Sequence, residues 1–113
     1  MSRFRNFSRQ AAADLDDIVG WKLDHGDAPA AAERLLTAVL AADERLAERP
    51  LLGRRRPDLL PEPYRFWSIP RHRHLLLYDP TSDPATVLRV LSTDQDLAPL
   101  LADLRDPPDA SDG

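Results

Sequence analysis

The sequence contains no cysteine, only four glycines and few aromatic residues, and these shortages exclude several classes of protein. Without cysteine the chain forms neither a disulfide scaffold nor a thiolate zinc site, and it has no thiol nucleophile. Apolar runs such as Leu75 to Leu77 are far shorter than the ~20 residues of a membrane-spanning helix. The chain does not start with an apolar signal segment, so we expect a soluble, cytoplasmic protein that does not contact a membrane.

The residues that are present indicate one globular domain. The chain has 113 residues, of which 42% are hydrophobic and 30% are charged. This composition is typical of a folded protein, and the length is too short for two independent cores. We expect the domain to span residues 1–104 and residues 105–113, which read RDPPDASDG, to form a disordered tail.

The net charge of −4 conceals a basic centre between two acidic flanks. Residues 49–74 carry seven arginines against two acidic residues, a net charge of +5, whereas residues 1–48 carry −3 and residues 75–113 carry −6. Arginine binds phosphates and carboxylates through two parallel hydrogen bonds, so the centre is a candidate binding surface. The alternative is a solvated hairpin edge, on which arginines prevent pairing with a foreign strand.

The first half of the chain has the periodicity of two helices. Phe4 to Phe7 alternates between apolar and polar residues and predicts a first strand. Ser8 is a predicted N-cap for a helix that ends at about His25, before Gly26. We expect Trp21 on this helix to pack between helix and sheet. A second helix is predicted from Asp27 and Pro29 to about Glu48, and one of its faces carries Leu35, Val39, Ala42 and Leu46.

The second half changes to the period of strands. Tyr64 to Ile69, His74 to Tyr78 and Thr86 to Leu91 are predicted strands separated by short turns, and the second is apolar on both faces and therefore central. Asp96 to Leu104 predicts a short helix. The order β-α-α-β-β-β with a short C-terminal helix predicts an α+β fold of two layers, with a strand and helical hairpin packed on a mostly antiparallel sheet.

Motifs for catalysis or for cofactor binding are missing from the sequence. It has no glycine-rich phosphate loop, and His25, His72 and His74 do not have the spacing of a metal site. We therefore assign no catalytic residue, metal or cofactor. The basic hairpin is the better candidate for a site, and the residues that we expect to contact a target are Arg65, Arg71, His72, Arg73 and Arg89.

Several segments together resemble one bacterial family. RLAERPLLGRRRPDL over residues 45–59 is similar to a helix exit followed by a Pro-x-x-Gly-x-x-Arg turn, HLLLY ends in Tyr78, and VLRVL contains Arg89. In this order and spacing they resemble the ParE/RelE superfamily of type II toxins, and in particular its ParE branch. The resemblance covers about residues 4–104.

The resemblance implies a toxin that inhibits DNA gyrase and is neutralised by a cognate, ParD-like antitoxin in a hetero-oligomer. We expect the antitoxin to cover an apolar groove that includes Leu35, Val39, Trp67 and Tyr78. The resemblance implies no cofactor, and no direct contact with nucleic acid unless the protein is a ribonuclease.

RelE-like relatives cleave mRNA on the ribosome, and the sequence departs from their pattern. After the last strand the family usually reads His-x-x-Arg-Asp, but this chain has Ser92 and Gln95 at the histidine and arginine positions, and no tyrosine follows Tyr78. His74 replaces the usual strand tyrosine. The departures favour the ParE-like function and a protein that is not itself an enzyme. Two alternatives stay open: an mRNA endonuclease that uses Arg65, Arg71, Arg73 and Arg89 with His72 or His74, or a non-toxic module that only binds its antitoxin.

Overall fold

A computed structural model describes residues 6–26 and 28–105. Two long helices, α1 (Arg9–Asp24) and α2 (Pro29–Glu48), precede three strands, β1 (Arg65–Ser68), β2 (His74–Asp79) and β3 (Thr86–Ser92). Two four-residue helices follow, α3 (Leu97–Leu100) and α4 (Ala102–Arg105). A helical hairpin, an antiparallel sheet and a short helical C-terminal segment confirm the predicted α+β fold. None of the helices described is long and apolar enough to cross a membrane.

Local sequence signals define both ends of α1. Ser8 has an extended backbone, and its Oγ accepts a hydrogen bond from the N–H of Ala11 at 3.1 Å. This bond satisfies a donor that has no partner within the first helical turn. Gly26 follows the helix with a φ of 87°, in the left-handed region that glycine adopts without steric cost. The predicted start and end of α1 are therefore confirmed.

The inner face of α2 forms much of the core. The helix begins at Pro29, because the first turn does not need the N–H that proline lacks. The predicted apolar face is confirmed, since none of its four residues is more than 3% exposed: Leu35, Val39, Ala42 and Leu46. They pack with Leu15 of α1 and Leu76 of β2 in one cluster. Asp27, predicted to open this helix, lies outside the described residues.

β2 lies at the centre of the sheet and is covered on both faces. It pairs antiparallel with β1 on one side and β3 on the other, as its apolar sequence predicts. Leu76 faces the cluster formed with α1 and α2, whereas Leu77 belongs to a second cluster, and both are 0% exposed. This second cluster includes Leu59 and Leu60 from the loop before β1, and Leu101 between α3 and α4. The sheet therefore has an apolar layer on each side.

The N-terminal segment lies beside β3, at the opposite edge of the sheet from β1. Phe7 forms a single parallel bridge with Val87. The N–H of Val87 donates to the carbonyl oxygen of Asn6, and the N–H of Ser8 donates to that of Val87, both at 2.8 Å. The predicted first strand from Phe4 and the predicted tail after residue 105 otherwise lie outside the described residues.

Candidate functional site

A cleft of about 630 Å³ separates the last turns of α1 from the turn between β1 and β2. The end of β3 and the residues after it form its third wall. Among the described residues that line the cleft, Lys22, Arg71 and Arg73 carry positive charge, and Asp94 is the only carboxylate. The other polar and aromatic side chains of the lining are Trp21, His72, His74, Ser92 and Gln95. The cleft is therefore a basic site with an aromatic wall.

Backbone hydrogen bonds hold the turn that carries the two arginines. The N–H of Ile69 donates to the carbonyl oxygen of His74 at 3.0 Å, and the N–H of Thr93 donates to that of Arg73 at 2.9 Å. The second bond joins the turn to the segment after β3. Arg71 has a φ of 68°, a left-handed conformation that residues other than glycine rarely adopt. A strained residue persists only where the surrounding structure holds it in place, and such residues are concentrated at functional sites.

We expect Arg71→Gly to raise the free energy of unfolding by about 0.5 kcal/mol, because glycine adopts a positive φ without the steric cost that arginine bears. Arg73→Gly is the matched control. Among the described residues other than glycine only Arg71 has a positive φ, so glycine at position 73 should lower stability by about 0.5–1 kcal/mol. Urea denaturation measures both changes. Destabilisation by both variants would show that Arg71 is not strained.

The two histidines of the cleft are shifted towards their neutral forms. Burial lowers the pKa of His74 below its ordinary value of 6.5, and the charges of Lys22 and His72 lower it further, while Asp94 opposes the change. The pKa of His72 is also lowered, first by burial and then by Lys22 and Arg34. Nδ1 of His74 is buried, with no hydrogen-bond partner in the described part of the chain. At neutral pH the positive charge of the cleft thus comes from its lysine and arginines.

Three of the five residues predicted to contact a target meet in this cleft: Arg71, His72 and Arg73. Arg65 lies at the other end of the hairpin, where it is paired with Tyr78. Its Nη1 donates to the carbonyl oxygen of Gly53 at 2.8 Å. Arg65 therefore supports the chain between α2 and β1, away from the cleft.

Arg89, the fifth predicted target residue, is turned inward. Its Nε and Nη2 donate to the two carboxylate oxygens of Asp14 at 2.7 and 3.1 Å. The two side chains are 20% and 9% exposed. Nη1 of Arg89 donates to the carbonyl oxygen of Leu100 at 3.1 Å. Arg89 thus joins α1 and α3 to β3, and its guanidinium is not available on an open surface for a target.

The structure also corrects the surface expected to contact an antitoxin. Leu35, Val39 and Tyr78 are 0% exposed and lie in the core between helices and sheet. A partner cannot touch them unless the domain opens. Of the four residues predicted to contact the antitoxin, only Trp67 is partly exposed. The guanidinium of Arg45 lies 5.9 Å from the centre of its ring. Apolar residues at helical or strand spacing suit a core as well as an interface, and here the two layers cover each other.

The prediction that Trp21 packs between helix and sheet is wrong. Its side chain is 59% exposed, because the last turns of α1 face the cleft instead of a strand. Its ring stacks on that of His25, with the ring centres 4.0 Å apart and the planes 15° apart. Trp21 and Lys22 are members of the site that sequence reasoning missed, because they lie far from the basic hairpin along the chain.

Ser92 at the end of β3 and Gln95 after it, the two residues that depart from the family pattern, lie at the rim of the cleft. Oε1 of Gln95 accepts a hydrogen bond from the N–H of Ser92 at 3.1 Å. Oγ of Ser92 accepts one from the N–H of Asp94 at 3.2 Å. Within the turn that these bonds form, Oδ2 of Asp94 lies 3.3 Å from Nη1 of Arg73.

The arginines of the loop before β1 are partly neutralised by nearby carboxylates. Nη2 of Arg55 lies 3.3 Å from Oε2 of Glu62, and Nη2 of Arg56 lies 2.8 Å from Oδ2 of Asp58. The predicted basic centre is thus divided in two parts, the loop before β1 and the turn with Arg71 and Arg73 that lines the cleft.

Comparison with solved structures identifies the fold as ParE-like. The chain is similar to a structure described as the chromosomal ParDE TA system from P. aeruginosa, with a TM-score of 0.64 and 22% sequence identity. The similarity covers 76% of this chain and 90% of that one. The sequence family described as the ParE toxin of the type II toxin-antitoxin system parDE matches residues 6–97, and the chain belongs to this family. Among curated proteins no match is found.

Proposed function

We propose that the protein is the toxin of a ParDE-type pair, that it inhibits DNA gyrase in the cytoplasm, and that a cognate antitoxin neutralises it in a hetero-oligomer. Membership of the ParE family over residues 6–97 carries this proposal. In this proposal the protein acts by binding, without a cofactor and without catalysis of its own.

We assign the gyrase contact to the basic cleft. Arg71 and Arg73 stand on a turn whose backbone is hydrogen-bonded both to itself and to the segment after β3. Arginine is enriched among the few residues that dominate the affinity of protein interfaces. A preorganised turn also loses little conformational freedom on binding. His72 lies between these arginines and completes the part of the predicted target surface that the cleft contains.

The first test compares two double variants that each remove two positive charges. Arg71→Gly with Arg73→Gln alters the cleft, whereas Arg9→Gln with Arg55→Gln alters exposed arginines outside it. We expect the wild type to inhibit supercoiling of relaxed plasmid by purified gyrase, and the cleft variant to inhibit at least about tenfold less strongly. The control variant should inhibit as the wild type does. Equal loss in both variants would show that only overall charge matters.

A second candidate function is ribosome-dependent mRNA cleavage, and one observation favours it. The cleft brings His72 and His74 together with Arg71 and Arg73, so a proton-transfer group lies near cations that could hold a phosphate. Arg65 and Arg89, also assigned to this chemistry, do not line the cleft. Induction in a bacterial host separates the functions. Arrest with cut mRNA and normal supercoiling would establish cleavage, and normal growth with folded protein would establish a binding-only module.

A further inference from the structure

The carboxylate that Arg73 contacts in the cleft comes from the protein itself, and it is held loosely. Nη1 of Arg73 lies 3.4 and 3.3 Å from the two carboxylate oxygens of Asp94. The two side chains are 79% and 64% exposed. An ion pair so open to water contributes little to stability, so another carboxylate can replace Asp94 at little cost.

Two arginines face the single carboxylate of the cleft lining. Arg71 lines the cleft together with Arg73 and Asp94, and Lys22 lies on the opposite wall. Burial is the main cause of the lowered pKa of His74, and the charge of Lys22 lowers it further. The complementary ligand is therefore an anion with more than one negative group.

An apolar surface lies beside these charges. Ile18 and Trp21 form the α1 wall of the cleft, and Trp21 is 59% exposed although it is a large aromatic residue. Aromatic residues with this exposure next to arginines are common anchors of protein interfaces. A ligand that matches the cleft has an apolar group between its negative groups.

The surroundings of the cleft favour a short peptide over a nucleic acid. Asp94 lines the rim of the cleft, and the exposed Asp96 follows it along the chain, so the rim is acidic on this side. A nucleic acid carries regularly spaced phosphates and would extend beyond the cleft over this acidic surface. A short acidic segment contacts only the basic walls and avoids that repulsion.

We propose that the cleft binds a short acidic segment of the antitoxin, and that a carboxylate of this segment replaces Asp94 on Arg73. The identity of the partner rests on the proposed function, because that function supplies the antitoxin. The antitoxin then neutralises the toxin by occupying the surface assigned to gyrase.

The two tryptophans of the chain provide a test that reports on the cleft alone. Trp21 lines the cleft, whereas Trp67 lies elsewhere on the sheet, so their indole N–H signals distinguish binding in the cleft from binding outside it. The probe is the capped peptide Glu-Glu-Leu-Glu-Glu, with Gln-Gln-Leu-Gln-Gln as the uncharged control. We expect the acidic peptide to shift the Trp21 signal, assigned with Trp21→Phe, and to leave Trp67 unchanged. No shift of Trp21 would overturn the proposal.

Asp94→Asn and Asp96→Asn form a matched pair, because each removes one negative charge but only Asp94 lines this cleft. We expect Asp94→Asn to tighten peptide binding about threefold, and Asp96→Asn to change it much less. In the Arg73→Gln background Asp94→Asn should bring no such gain. Equal effects of the two asparagine variants, or a gain that persists without Arg73, would show that Asp94 does not occupy the ligand's place.

A five-residue oligothymidylate tests the other class of ligand. If it shifts Trp21 and binds more tightly than the peptide, the occupant is a nucleic acid and the proposal is overturned. The peptide titrations contain no gyrase, so they fail or succeed independently of the proposed function. A protein that binds the peptide but does not inhibit gyrase retains this site, and one that inhibits gyrase without binding the peptide retains only the proposed function.

Discussion

Replacing Asp14 with alanine is expected to lower the free energy of unfolding by about 3 kcal/mol, because it leaves the half-buried guanidinium of Arg89 without its carboxylate. Asp14 also accepts hydrogen bonds from the backbone N–H of Val90 at 2.9 Å and from Nε2 of Gln10 at 3.0 Å. Arg89→Ala should be at least as harmful, since it additionally removes the bond to Leu100. Urea denaturation monitored by circular dichroism measures both losses.

The control for this prediction is an ion pair with the same chemistry on the surface. Arg56 donates to both carboxylate oxygens of Asp58 at 3.0 and 2.8 Å, but the pair is exposed. Asp58→Ala should leave stability unchanged within experimental error. The double variant Asp14→Leu with Arg89→Met should recover part of the loss, because an apolar pair leaves no unpaired charge although the N–H of Val90 still lacks its acceptor. Similar losses for Asp14→Ala and Asp58→Ala would contradict the assignment of Asp14 as a buried anchor.

Gly53→Ala is expected to destabilise the protein by about 3 kcal/mol, for lack of space. A Cβ atom on Gly53 would lie 2.6 Å from Oη of Tyr78 and 2.7 Å from the carbonyl oxygen of Phe66. Tyr78 cannot move aside freely, because its hydroxyl donates to the carbonyl oxygen of Pro50 at 2.6 Å and accepts from the N–H of Gly53 at 2.7 Å. The methyl group would break these two hydrogen bonds, which hold the chain between α2 and β1 in place. Thermal unfolding of the purified variant measures the effect.

Gly20→Ala is the matched control, and it should raise the free energy of unfolding instead of lowering it. Gly20 lies within α1, and a Cβ there meets no atom within 4 Å. The variant should gain about 0.5–1 kcal/mol, because alanine is the better helix former. Tyr78→Phe removes one of three close contacts and leaves those to Cε1 of the ring and to the Phe66 carbonyl oxygen, so Gly53→Ala should cost somewhat less in that background. Equal costs in both backgrounds would indicate that the two remaining contacts are sufficient to exclude the methyl group.

Local signals predicted the elements of the fold because each depends on a few neighbouring residues. Ser8 predicts the start of α1 since its side chain reaches the N–H three residues ahead. β2 is central because its apolar run leaves no face for solvent, and Leu76 and Leu77 are buried on opposite faces. Such signals need no knowledge of how the elements pack.

Contacts between distant residues could not be predicted in the same way. Asp14 suits a helix start because of its charge, but the structure uses it to hold Arg89, 75 residues further along the chain. Tyr78 was expected to contact a partner, yet its ring lies in the core. Its hydroxyl is hydrogen-bonded to Gly53 and Pro50, which lie 25 and 28 residues earlier in the chain. The position of a polar group on a strand does not reveal which element will cover it.

For the same reason, the sequence predicted the hairpin wall of the candidate site but not the wall formed by α1. Arg71, His72 and Arg73 are neighbours in sequence, so charge counting found them. Trp21 and Lys22 reach the same cleft only because α1 packs across β3 and ends beside the hairpin. Sequence position separates the two walls of the cleft, and the fold alone brings them together.

The placement of the N-terminal elements on the last strand affects how the toxin is made. Phe7 and Asp14 both find their partners on β3, at Val87 and Arg89. Asp14 is synthesised 75 residues before Arg89, which at about 5–20 residues per second is an interval of about 4–15 s. Throughout that interval the apolar face of α1 has no strand to cover it, and one wall of the cleft does not exist. A growing chain therefore cannot complete the cleft until β3 and the residues after it have been synthesised.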